Sequence, residues 1–151
     1  MPQAIRRTRA KQTDANFDFR QISFYNLNSI EDCYAVFKLK PTCSFKVLRE
    51  KYIRMSTHYH PRAGINWKTK HFIRVVLAYQ CLERYHQERK KNGYIKREEF
   101  FRHWQQNHMT HDLDRACAYS RISRVLFERV LYPRFNKIRS INIKASITII
   151  N

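Results

Sequence analysis

Apolar residues in the middle of the chain recur at helical spacing. In FKVLREKYIRMSTHY, Leu48, Tyr52, Met55 and Tyr59 stand at i, i+4, i+7 and i+11, one continuous stripe, and Ser44 precedes it as an N-cap. This predicts a helix from Phe45 to about Tyr59. A second run from Lys68 to Lys91 repeats Phe72, Val75, Tyr79 and Leu82 at i, i+3, i+7 and i+10, and Asn92 with Gly93 supplies its stop. Between them His60 to Trp67 reads as a short loop carrying Pro61. Two apolar stripes joined by a short loop predict an antiparallel helical hairpin.

The flanking segments extend this pattern. A short helix is expected around Glu31 to Phe37, capped by Asn28 or Ser29 and followed by Pro41. Residues 94–107 and 112–131 read as two more helices, the second capped by Thr110 or Asp112 and closed before Pro133. In that last helix the stripe of Leu113, Ala116, Cys117, Ser120, Arg124 and Phe127 is mixed, so it is expected to touch a partner as well as the core. The aromatic cluster Phe17, Phe19, Phe24 and Tyr25 is expected to pack on the chain's own core, with an outside apolar partner as the alternative.

The tail changes period. Ile141, Ile143, Ala145, Ile147 and Ile149 alternate with Asn142, Lys144, Ser146 and Thr148, the period-two pattern of a half-buried strand. A lone strand leaves its N–H and C=O groups unpaired, so Ile141, Ile143, Ile147 and Ile149 are expected to join the edge of a partner's sheet. The resulting expectation is an all-α chain with terminal extensions whose last segment is a lone β-strand. Its parts are a basic and aromatic extension over 1–31, a hairpin domain over 32–92, C-terminal helices over 93–133 and a tail over 134–151.

Composition narrows what such a fold is for. The chain holds 30 Lys and Arg against 12 Asp and Glu, a formal net charge of +18 over 151 residues. A charge of that size points to a polyanionic partner, either nucleic acid or an anionic lipid surface, or to acidic protein subunits. Residues 32–91 carry 14 of the basic and 4 of the acidic residues, so the hairpin is the electropositive part. Candidate contact residues are Arg6, Arg7 and Arg9 in the opening arm, and Arg134, Lys137 and Arg139 after the last helix. Only two glycines occur, Gly64 and Gly93, which excludes a glycine-rich phosphate loop. Cys33, Cys43, Cys81 and Cys117 form no C-x-x-C pair and are expected to be reduced core residues. No run approaches the ~20 apolar residues of a membrane span. The arm MPQAIRRTRAKQT has four basic residues and no acid, as in a mitochondrial targeting segment or a solvated basic arm, and it is expected to need a partner to hold it.

Asp32 to Leu82, about a third of the chain, resembles the J domain of DnaJ-like co-chaperones. Asp32, Cys33 and Tyr34 stand where that family has its Asp-Tyr-Tyr-like opening, and Cys43 with Ser44 stands for its Ala-Ser. Leu48, Tyr52, Met55 and Ser56 match its second helix, and Phe72, Val75, Ala78, Tyr79 and Leu82 match its third at the same spacing. The histidine-proline-aspartate loop appears as His60, Pro61 and Arg62. The resemblance implies a hairpin whose loop and basic second helix dock on a DnaK-type chaperone and stimulate its ATP hydrolysis, the aspartate pairing with an arginine there. Lys46, Arg49, Lys51 and Arg54 keep the basic helix. Arg62 reverses the charge of the loop, which replaces an attraction by a repulsion and implies that stimulation is lost.

No arrangement of nucleophile, base and orienting acid stands out, so neither a catalytic site nor a cofactor is expected. His103, His108 and His111 lie near Asp112, Asp114 and Cys117, but His108 and His111 are the one close pair and no paired cysteines complete a metal set. The expected role is therefore a non-catalytic accessory subunit of a large mitochondrial assembly, on the matrix side and associated with the inner membrane. A respiratory-chain complex is placed ahead of two alternatives, a mitochondrial ribosomal or RNA-binding protein and a working DnaJ-type co-chaperone.

Overall fold

The computed structural model describes residues 19–63 and 69–132. Arg6, Arg7, Arg9, Phe17, Arg134, Lys137, Arg139 and the expected strand from Ile141 lie outside the described residues. Those described form six α-helices and no strand: α1 (Ile30–Val36), α2 (Phe45–Tyr59), α3 (Thr69–Asn92), α4 (Arg97–Asn107), α5 (Met109–Arg121) and α6 (Arg124–Leu131). Short 3-10 turns cover Ile22–Tyr25 and Pro61–Ala63.

Side-chain caps explain three of the helix starts. The hydroxyl of Ser29 accepts from the N–H of Asp32, and the Asp32 carboxylate accepts in return from Asn28 N–H, both at 3.0 Å. The first bond satisfies an N–H that the first turn of α1 leaves without a helical partner, and the second fixes the chain just before the cap. Ser44 accepts from Val47 N–H to start α2, and Ser123 accepts from Leu126 N–H to start α6. At the other end of α1 the chain turns through Lys38 in the left-handed region, φ 55°.

The α2–α3 pair is antiparallel, as three ring contacts show. Tyr59 meets His71 at 4.2 Å between centroids, Tyr52 stacks on Tyr79 at 3.7 Å, and Phe45 meets His86 at 5.2 Å. Advancing along α2 means retreating along α3. Sequence spacing marked one stripe on α3, but Ile73, Val76, Leu77 and Cys81 are buried as well as Phe72, Val75, Tyr79 and Leu82. The reason is that α3 packs on α1, α2 and α5 at once, so the helix is central rather than half-exposed.

Two expectations about the C-terminal helices are corrected. The expected helix over 112–131 is two helices, broken where Ile122 turns extended and Ser123 caps α6. Neither Thr110 nor Asp112 caps it, because α5 begins at Met109 and runs straight on from α4 through His108. Asp112 faces inward instead. Its carboxylate is fully buried and accepts from Arg84 Nε and Nη2 and from Trp104 Nε1, each at 2.8 Å. That pair ties α3, α4 and α5 together, and the Asp112 hydrogen bond is also what holds the Arg84 pKa up.

One apolar core runs through the described chain from Tyr25 to Leu131. Tyr25 is buried, and Phe19 and Phe24 pack on the edge of the core, so these three aromatics meet their own chain. Cys33, Cys81 and Cys117 are buried and Cys43 half-buried, all as free thiols. Burial and the neighbouring Cys33 raise the Cys81 thiol pKa, which keeps it protonated and unreactive.

Candidate functional site

The loop after α2 is folded inward. His60 is buried with 2% of its surface exposed, its ring lying edge-on to Phe72 at 4.9 Å and roughly parallel to Phe127 at 5.2 Å. Its Nδ1 accepts from the Arg62 N–H at 3.2 Å, so the ring proton sits on Nε2, which lies 3.0 Å from the Tyr119 carbonyl oxygen and donates to it. Both ring nitrogens are thus used internally. Burial is the largest influence on this imidazole and lowers its pKa. The guanidinium charges of Arg124 and Arg62 push the same way, while the bond to Tyr119 and the Glu128 carboxylate oppose it.

Pro61 is buried beside it, and Arg62 points its guanidinium at the end of α5. Arg62 Nη2 donates to the carbonyl oxygen of Arg121, the last residue of that helix, at 3.0 Å. The last carbonyls of a helix have no partners within it and carry its negative end, so an arginine there serves as a C-terminal cap. A carboxylate at the same place would meet those oxygens with like charge.

A second arginine does the same for α6. Arg49, on α2, donates to the Leu131 carbonyl at 2.8 Å and to the Tyr79 hydroxyl at 3.1 Å, and Tyr79 in turn donates to Glu83 at 3.0 Å. Lys46 and Arg54 lie exposed on α2 and Lys51 half-exposed, whereas Arg49 is drawn under α6. Phe127 seals the centre of this contact, packed against His60, Phe72 and Tyr119. The short helix α6 therefore spans the loop and one flank of α2. It was not foreseen from spacing, although Ser123, a capping residue ahead of the apolar run VLF, marks its start.

No protein-family model, no curated protein and no solved structure matches this chain.

The remaining sequence candidates are separated by their bonding. His111 lies 3.0 Å from an Arg115 nitrogen and His103 the same distance from the Asn107 amide, while Asp112 is taken up by Arg84 and Trp104. Among the described residues no group of three His, Cys, Asp or Glu side chains is placed to hold a metal ion. Among the same residues, no helix is long and apolar enough to cross a membrane.

The outer face of α6 is unlike the rest of the surface. Val125, Leu126 and Val130 are exposed there, at 62%, 47% and 40%. The α6 side that faces the core, by contrast, buries Phe127 and Leu131. The helix carries apolar side chains on two sides and is covered on one.

Proposed function

We propose that this chain is a non-catalytic structural subunit, a degenerate J-like hairpin in which the former chaperone-docking loop has become an internal joint. The observation that carries the reading is the bonding of the loop. His60 is spent on Tyr119, Arg62 on Arg121 and Arg49 on Leu131, so three residues of the docking surface implied by the resemblance bind the chain's own α5 and α6. A chaperone approaching that surface would have to displace α6 and leave helix C-terminal carbonyls without partners. Breaking several such bonds costs a few kcal/mol, on top of the unfavourable charge of Arg62.

The host we favour is a large mitochondrial assembly, a respiratory-chain complex ahead of a ribosome. The basic opening segment supports the compartment. The exposed apolar face of α6 supports burial against neighbouring protein, since a helix apolar on two sides is best accommodated between two surfaces.

Single-turnover ATP hydrolysis by a DnaK-type chaperone, measured with and without the full chain, tests the reading. We expect no stimulation from the natural sequence and none from Arg62→Asp, because that substitution leaves His60 and Arg49 engaged. Clear stimulation by the natural chain sinks the structural reading and favours a working co-chaperone. Co-purification from mitochondria with a fixed, stoichiometric set of protein subunits is the positive result expected.

A further inference from the structure

Away from the α2–α6 face, the far end of the hairpin forms an open cleft of ≈700 Å³ between the N-terminal end of α2 and the C-terminal end of α3. Arg89, Lys90 and Arg97 line it together with Phe45, His86 and Tyr94, and no acidic residue does. A second cleft of ≈630 Å³ lies alongside, sharing Arg89, Tyr94 and Arg97 with the first and adding Lys96 and Arg102 beside Glu31, Glu98 and Glu99. The acids are thus confined to one of the two hollows.

Basic residues at the end of α3 have an ordinary explanation, since they complement the negative end of the helix. That explanation does not reach Tyr94. It is 84% exposed, the most exposed large apolar side chain described, and it borders both hollows. Gly93 sets it there. The glycine sits at φ 80°, with its N–H bonded to the Arg89 carbonyl at 2.8 Å, so the chain leaves α3 by a left-handed turn that only glycine adopts without strain. Arg97 pairs with Glu31 at 3.1 Å on the side of the second hollow, and Arg89 rests over the Tyr85 ring at 5.5 Å.

We propose that this cleft binds single-stranded nucleic acid, with phosphates against Arg89, Lys90 and Arg97 and a base stacked on Tyr94. Guanidinium forks take phosphate oxygens in pairs, and an exposed aromatic ring accepts any base through its π-face. A lipid surface fits less well. The cleft is concave and basic, and of the exposed aliphatic side chains described, Val125, Leu126 and Val130 are on α6 while Val47 stands alone at the cleft's end of α2, too little apolar surface to enter a bilayer. The site is independent of the α2–α6 contact, so it holds whether or not the chain is a structural subunit.

The test is fluorescence anisotropy of a labelled oligouridylate titrated with the full chain, from low to physiological salt. Tyr94→Ala is expected to weaken binding about 5- to 150-fold with little change in salt dependence, the loss of one stacked base. Replacing Arg89 and Lys90 by Ala is expected to flatten the log–log salt slope by about 1.4, two single-strand phosphate contacts. All three residues are exposed, and unchanged circular dichroism melts verify that the variants fold. Binding that ignores these substitutions but vanishes on replacing Arg6, Arg7 and Arg9, or Arg134, Lys137 and Arg139, overturns the proposal in favour of the arms. No binding of the oligonucleotide overturns it as well. So does Tyr94-dependent binding to phosphatidylserine vesicles in its place, which would make the ligand a lipid headgroup.

Discussion

The guanidinium of Arg62 donates to the carbonyl oxygen of Arg121 at 3.0 Å, closing the loop after α2 onto the last turn of α5. The loop arginine thus has a partner inside the chain. Arg62→Ala is expected to cost about 0.5–1 kcal/mol, since the bond is exposed and one carbonyl is left to water. Arg62→Asp should cost more, about 1–2 kcal/mol, because a negative charge then faces the negative end of α5. Urea denaturation of the two variants measures this, and an Asp variant as stable as the natural chain would contradict the capping role.

His60 makes stability depend on pH. Its pKa is lowered by burial, with Arg62 and Arg124 acting in the same direction against Tyr119 and Glu128. His86, half-buried against α1 and α2 and near Arg89, is lowered too. In the unfolded chain these rings take up protons at the ordinary histidine value of ~6.5. Below that pH the unfolded state therefore binds more protons than the folded one, and stability falls as pH falls. Denaturation midpoints should be level from neutrality to about pH 8, short of the ordinary thiol value, and decline from ~6.5 downward. His60→Gln should reduce that slope while lowering stability at neutral pH. A slope of the opposite sign would refute the assignment.

Asp112 is a buried carboxylate with three 2.8 Å donors. Asp112→Ala strands the Arg84 guanidinium and the Trp104 N–H together; because the Arg84 side chain keeps 29% of its surface exposed, the cost should fall below the ~3–5 kcal/mol of a fully buried pair. A matching drop in thermal melting temperature is expected. Retention of the natural melting temperature would show that water replaces the carboxylate without loss.

Lys38 holds a left-handed conformation, φ 55°, at the turn after α1. A side chain with a Cβ is strained there by about 1 kcal/mol, and glycine is not. Lys38→Gly is therefore expected to leave stability unchanged or raise it by up to about 1 kcal/mol, against the usual penalty for introducing glycine. A clear loss in chemical denaturation would mean that the lysine stem contributes packing outweighing the strain.

Much of the helical content could be read from spacing because it is a local property. Ser44 and the Leu48, Tyr52, Met55 and Tyr59 stripe located α2 to the residue, and Gly93 located the end of α3. Ser123 was equally visible as a capping residue, but the apolar stripe of 112–131 continued across it and concealed the break between α5 and α6. The candidate loop was legible as His60, Pro61 and Arg62.

By itself, then, the sequence determined most of the helical segments and the basic excess, because periodicity, capping and charge act within a few residues of one another. Tertiary structure decided what those groups face. His60 and Tyr119 are 59 positions apart, and Arg49 and Leu131 are 82 apart. No local rule relates residues at such separations. Packing of Phe127 brings α6 across the loop, and only then do Arg49, read as part of a basic helix face, and Arg62, read as a loop residue, become the caps of two helices.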